Sequence, residues 1–239
     1  PLWIEWHYRN AEGEWQTLVN DRPTSAYLVN AHGDGVAHYQ SRRKDERFYG
    51  LGDKAGDLQR GGKRYEMRNL DAMGYNAIST DPLYKHIPFT ITRRDDISFG
   101  LFYDNLSSCW LDLGNEIDNY HTAYRRWQAE AGDIDYYLFT GERVLDVTKA
   151  FVRLTGKTLF GPKWSLGYSG STMHYTDAPD AQNQLMNFIR LCDEHAIPCD
   201  SFQLSSGYTS INGKRYVFNW NYDKVPQPKV MSQCFHDAG

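Results

Sequence analysis

The hydrophobic rhythm of this chain changes once, near residue 145, and that change restricts the fold more than any other feature. Upstream, "LWIEWHY" alternates, "SAYLVNA" follows Pro23, and "VAHYQSR" follows Gly33-Asp34-Gly35. "HIPFTITRR", "ISFGLFYD" and "DIDYYLFTG" continue the pattern, separated by Gly, Asn and Asp. A period of two sends successive side chains to opposite faces of a sheet, so short runs between turn formers predict an antiparallel sandwich. Residues 50–86 hold few such runs and read as a long loop, kept ordered by its aromatics.

Downstream the period becomes helical. "VLDVTKAFVRLTG" spaces Val144, Val147, Phe151 and Leu154 along one face, with Gly156 as a stop. "LFGPKW" reads as a linker and "WSLGYSG" as a short strand of the buried type. "DAPDAQNQLMNFIRLCDEHA" predicts a helix with Asp180 at its start and Leu185, Phe188, Ile189 and Cys192 on one face. "IPCDSFQLSS" is the next strand, and "YTSINGKRYVFNW" a hairpin turning at Asn212-Gly213. "PQPKVMSQCFHDAG" is a helix with Pro228 in its first turn.

Strand, helix, strand and helix in succession are the units of a βα-barrel or a doubly wound sheet. The expected organisation is a β-sandwich over residues 1–142, a linking helix and linker over 143–161, and the start of a (β/α)8 barrel over 162–239. A complete barrel takes roughly 250 residues, so this stretch does not close one. Pro1 in place of Met and the abrupt "CFHDAG" make both ends read as cut.

Composition narrows the partners. The net charge is −4, and Arg42-Arg43-Lys44 runs straight into Asp45-Glu46, which reads as a solvated turn. Nucleic acid is therefore not expected as a partner. Nor is a membrane, because no apolar run approaches spanning length. Cys109, Cys192, Cys199 and Cys234 lack metal-finger spacing and read as free, mostly buried thiols. Aromatic residues make up 15% of the chain, with 17 Tyr and 7 Trp. Aromatic faces suit sugars, and an aromatic-rich sandwich core has the same composition.

Six stretches, in order, resemble glycoside hydrolase family 31, the α-glucosidase and α-xylosidase group. "FYGLGDKAGDLQRGGKRYEMRNLDAMGYN" is similar to that family's Gly-Leu-Gly segment and Asn-x-Asp loop. "DPLYKHIPFTI" and "SFGLFYDN" resemble the stretch and strand that follow. "GPKWSLGYSGSTMHY" is similar to the first barrel strand, "IPCDSF" to the second, and "FNWNYDKVPQPKVMSQCFHDAG" to the approach to the third. The resemblance implies a galactose-mutarotase-like sandwich packed on a catalytic barrel, with a sandwich loop leaning over the barrel mouth. It implies an α-linked oligosaccharide or glycoside as substrate, no cofactor and no metal.

Asp71 matches the family's loop acid at the subsite for the non-reducing-end sugar. A carboxylate there can accept charge-assisted bonds from two adjacent hydroxyls; the competing reading is an Asx-turn acid that caps local backbone. Tyr175 matches an aromatic after the first barrel strand, either a pocket wall or plain packing, and His174 beside it reads as a surface histidine. Trp164 is expected in a core. The family's reaction uses two carboxylates, a nucleophile and an acid/base, about 5–5.5 Å apart. Both belong to later barrel strands, so no catalytic residue is assigned here and the 239-residue chain alone is expected to be inactive. Asp177 reads as a loop acid, Asp180 as a helix start and Asp200 as a supporting acid within the second strand.

The sequence also departs from the family. Where the second strand usually ends in Asp-Ile-Asp-Tyr, this chain has Ser205, Ser206, Gly207 and Tyr208. Replacing a charged partner of a sugar hydroxyl by serine costs roughly 1.5–3 kcal/mol, so Ser205 and Ser206 imply a pocket that reads its sugar differently. The Phe-x-Trp-Asp signature appears as Phe218-Asn219-Trp220-Asn221, with Trp220 carried over as a sugar-facing aromatic. Besides a retaining α-glycosidase, three readings remain open: a glycosyl transferase of the same family, a carbohydrate-binding scaffold, and a structural sandwich with no sugar affinity.

Overall fold

The computed structural model describes residues 2–29, 35–94 and 96–239. It divides into two compact units, Pro1–Lys157 and Thr158–Gly239.

The first unit opens with a hairpin of β1 (Glu5–Arg9) and β2 (Trp15–Asn20). Two antiparallel sheets follow. One takes β3 (Tyr27–Val29), β4 (Val36–Ser41), β6 (Arg64–Met67), β9 (Cys109–Asp112) and β10 (Tyr124–Ala129) in the order β3-β4-β10-β9-β6. The other takes β5 (Arg47–Gly52), β7 (His86–Arg93), β8 (Ser98–Tyr103) and β11 (Tyr136–Gly141) in the order β11-β8-β7-β5. The turn at Gly33-Asp34 and the end of the strand expected to reach Ala31 lie outside the described residues.

Alternation on β8 explains how the sheets close. Phe99, Leu101 and Tyr103 face inward and join Phe48, Leu111 and Trp127 in one core. Trp127 stacks on Tyr103 at 4.5 Å. The opposite face of the β7–β8 sheet is covered by α1 (Val144–Thr155), whose Val147 and Phe151 meet Phe89 and Ile91. Gly100 is required there: a Cβ would lie 2.6 Å from the Phe89 ring and 2.7 Å from Val147. Thus α1 is part of the first unit, with Leu154 on its exposed side.

Strands β2, β5, β6, β9 and β10 had no clear pattern in the sequence. β10 is the instructive case, because its Arg125 points into the sandwich, donating to Gln40 at 3.1 Å and Thr92 at 2.8 Å. β5 hides behind its glycines: a Cβ on Gly50 or Gly52 would strike the carbonyls of Phe89 or Lys85. The charged stretch 42–46 also differs from a solvated turn. Arg43 and Asp45 pair in solvent, but Glu46 is buried and bonded to Arg94.

The second unit holds β12 (Ser169–Gly170), α2 (Met173–Asp177), α3 (Ala181–Glu194), β13 (Ser201–Phe202) and α4 (Pro228–Asp237). β12 and β13 pair in parallel around α3, which is the first step of a βα-barrel. Both strands are shorter than expected, and most of "WSLGYSG" is exposed rather than buried. Trp164 is 55% exposed on a single 3-10 turn, Lys163–Leu166, because no regular element of this unit covers that turn. The core is small, comprising Ala181, Leu185, Val225 and Met231. Asn212 and Gly213 do turn the chain, with φ of +51° and +74°, yet only Ile211 and Lys214 bridge and no longer hairpin forms.

Candidate functional site

The first unit presents an ordered loop over residues 68–85. Asn76 organises its tip: its side-chain oxygen accepts from the backbone of Ile78 and Ser79, and its N–H donates to Thr80 at 2.7 Å. The base is held by Asp81, whose carboxylate accepts from Lys54 Nζ at 2.7 Å and from the Glu66 N–H at 2.6 Å. The Lys54 side chain is fully buried, and burial lowers its pKa against the opposing pull of Asp81. Asp53, Lys54, Tyr75, Leu83 and Tyr84 line an open cleft of about 320 Å³ here.

Asp71 stands in the exposed part of this loop. Its carboxylate accepts the Tyr84 hydroxyl at 2.6 Å, which raises the pKa of that phenol. No backbone N–H among the described residues donates to Asp71, so it is not an Asx-turn cap; Asp81 is the acid that binds backbone. Asp71 is thus one hydrogen bond from a wall of the cleft. The sequence reading missed Lys54, Asp81 and Tyr84 as loop supports; a lysine inside the glycine-rich "GLGDKAG" was the available signal.

The other four candidates belong to the second unit. Ser205 lies a few residues beyond the end of β13 and precedes a 3-10 turn, Ser206–Thr209. Ser206 Oγ accepts from Arg215 at 3.1 Å, and the same guanidinium donates to Asp177 at 3.1 Å, holding that carboxyl below its usual range. Asp177 is therefore the last residue of α2 and an ion-pair partner, not a free loop acid. Lys224 Nζ donates to the carbonyls of Asp177 and Gly207 and to Ser210 Oγ. Gly207 is obligatory, since a Cβ would lie 2.5 Å from the Thr176 backbone.

Tyr175 sits on α2 with its ring 6.1 Å from Phe188, half-buried. Trp220 packs against Tyr208 at 4.8 Å. His174 is exposed. Asp180 starts α3 without capping it, its carboxylate accepting from Gln184 instead. Asp200 lies exposed just before β13 rather than within it. In this unit Tyr175 and Trp220 pack against the small apolar core, while Ser206 is tied to Asp177 by Arg215, a link that, like Lys224, the sequence reading did not single out. Among the described residues no cluster of three His, Cys, Asp or Glu side chains could hold a metal, and no helix is long and apolar enough to cross a membrane.

Two family models match this arrangement. Residues 3–112 match the glycosyl hydrolase 31 N-terminal galactose mutarotase-like domain, and residues 158–239 the glycosyl hydrolases family 31 TIM-barrel domain. The chain belongs to glycoside hydrolase family 31. It is 34% identical to alpha-glucosidase 2 of Bacillus thermoamyloliquefaciens over 196 residues, 82% of this chain and 23% of that protein. It is 30% identical to neutral alpha-glucosidase AB of Sus scrofa over 206 residues, 78% of this chain and 21% of that protein. Its fold is similar to that of a family 31 dextranase from Flavobacterium johnsoniae solved with glucose. The TM-score is 0.79 at 28% identity, covering 98% of this chain and 27% of the dextranase. The family 31 chain described here spans about a quarter of the length of these relatives.

Proposed function

We propose that this family 31 chain serves in the hydrolysis of α-linked glucosides with retention of configuration. In this reading it supplies sugar contacts, and the two reacting carboxylates are not among its 239 residues. The observation that carries the reading is the exposed Asp71 carboxylate, anchored by the Tyr84 phenol beside an open cleft, while Asp81 holds the loop in place. One oxygen of Asp71 is committed to Tyr84, which leaves the other for sugar hydroxyls. The names of the relatives support an α-glucoside as ligand: α-glucosidases, and a dextranase solved with glucose and with isomaltotriose.

Ser205, Ser206, Tyr175 and Trp220 are proposed as further sugar contacts. Ser206 already accepts from Arg215 and keeps its O–H to donate. None of Asp177, Asp180 and Asp200 takes a catalytic role in this reading. Asp177 is bound by Arg215, Asp180 holds Gln184, and Asp200 is exposed before β13.

The test uses the enzyme that carries this segment. Proton NMR of the sugar released from an aryl α-glucoside is expected to show the α-anomer first; the β-anomer would exclude the mechanism. Asp71→Ala is expected to lower kcat/KM roughly tenfold or more, the size of a lost charged hydrogen bond, with little change in Tm. Unchanged turnover would return Asp71 to a structural role. The 239-residue chain by itself is expected to show no turnover.

A further inference from the structure

Arg125 of β10 is buried between the two sheets with part of its hydrogen-bonding capacity unused. The residue is 5% exposed. Its Nε donates to Gln40 at 3.1 Å and its Nη1 to Thr92 at 2.8 Å. Among the described residues Nη2 has no partner, and neither has Gln40 Nε2 nor the Nε1 of Trp127, two residues along β10 on the same face. All three are N–H donors. A small cavity of about 10 Å³ lies here, lined by Thr90, Leu101 and Tyr103 of one sheet and by Leu111, Arg125 and Trp127 of the other. It has room for one ligand of about a water molecule's size. The charge around it is unbalanced. Arg94 and Arg125 are both buried, and Glu46 is bound to Arg94 at 2.6 Å. Among the described residues no carboxylate forms an ion pair with Arg125. Burial lowers the Arg125 pKa; Glu46 pulls against it, and Arg94 and Arg42 add to the fall. A buried guanidinium bonded only to a neutral amide and a neutral hydroxyl favours a counter-ion.

We propose that this cavity binds a single monovalent anion of chloride's size, held by Nη2 of Arg125. A water molecule needs acceptors for its own hydrogens, whereas an anion takes donors alone. The unpartnered side-chain groups of the cavity wall are the N–H donors of Arg125 and Trp127. Glu46 Oε2, an acceptor without a partner, is not part of that wall. Leu101 and Leu111 keep bulk water out, which strengthens the attraction between guanidinium and ion. The ion ties β10 of one sheet to β7 of the other. β7 starts at His86, where the loop that carries Asp71 runs into the sandwich.

The experiment uses the full-length enzyme that carries this segment, crystallised once from sodium chloride and once from sodium bromide. Anomalous maps are measured at long wavelength for chloride and at the bromine absorption edge for bromide. A peak within hydrogen-bonding distance of Arg125 Nη2 is expected in both. In solution, hydrogen exchange read by mass spectrometry compares chloride with gluconate, an anion too large for the cavity, at equal ionic strength. At about ten times its half-saturating concentration, chloride is expected to slow exchange in β7 and β10 about tenfold and to leave α3 unchanged. Arg125→Met is expected to lose both the peak and the chloride effect. An oxygen-sized peak without anomalous signal would mean a water only. A halide peak with no chloride effect on exchange would mean an adventitious ion only. Either result overturns the proposal, as does a chloride effect that survives in Arg125→Met. If Arg125→Met does not fold, the wild-type maps and the exchange comparison decide the matter alone.

Discussion

The two units spend similar residues in opposite ways. In the sandwich, Phe48, Phe99, Leu101 and Trp127 vanish into one core, and charged groups go in with them, Glu46 paired with Arg94 and Arg125 hydrogen-bonded to Gln40 and Thr92. In the second unit, Leu166, Val217 and Phe218 stand in solvent while four side chains make the core. The difference follows from what each unit holds: the sandwich has both of its sheets, whereas the second unit has only the first parallel pair of a βα-barrel. Antiparallel sheets can close face to face, whereas a parallel pair needs cover on both faces before its apolar positions are buried. The sandwich unit is therefore expected to carry most of the cooperative stability.

The largest effect that could break this contrast is a core truncation. Phe99→Ala is expected to cost about 3–5 kcal/mol in urea unfolding, and Phe218→Ala, fully exposed, under about 0.5 kcal/mol. Equal losses would mean that burial does not separate the two regions.

An ion pair of each kind gives a second, smaller comparison. Asp81→Ala leaves the fully buried Lys54 ammonium unpaired and is expected to cost about 3 kcal/mol. Asp177→Ala removes a pair whose side chains are 41% and 39% exposed, and about 0–1 kcal/mol is expected. Denaturation of both variants in parallel checks the ratio; a larger loss at Asp177 would relocate the fold's dependence on charge to the second unit.

The smallest effect is a pH response confined to the sandwich. His38 is fully buried, its Nε2 2.8 Å from Asp21 and its Nδ1 2.9 Å from the Tyr103 hydroxyl. A neutral ring donating to Asp21 and accepting from Tyr103 satisfies both bonds. Burial, with Arg125 nearby, holds the His38 pKa below its ordinary 6.5, against the opposing pull of Asp21. For Asp21, burial pushes upward most strongly, but His38, Tyr27 and the Ile4 N–H together outweigh it, and the pKa falls below 3.8. In both cases the unfolded chain takes a proton that the folded one resists. His38 therefore contributes stability that is complete above about pH 6.5 and is lost as pH falls toward its folded pKa. Hydrogen exchange at falling pH is expected to weaken β4 protection before that of α3; the reverse order would assign acid sensitivity to the second unit.

What the sequence disclosed depended on whether a residue's role was local. Helix α3 and the first turn of α4 were legible because their periodicity and Pro228 act within a few residues. β10 was not, since Arg125 belongs inside only because Gln40 and Thr92, far off in sequence, receive it. Asp71 could be singled out by its motif, but its separation from the backbone-binding role of Asp81 needed the loop in three dimensions. Arg215 and Lys224 were invisible for the same reason: their partners Ser206, Asp177 and Gly207 converge only after the chain turns at Asn212-Gly213.

The clasp between Asp81 and Lys54 has an implication for anyone who would retune this loop. In the proposed reading, fastening and display fall to different acids, so Asp71 and Tyr75 can be varied as a combinatorial library while the Asp81–Lys54 fastener and Tyr84 are left alone. Failures in such a library would then report on ligand preference instead of on lost architecture.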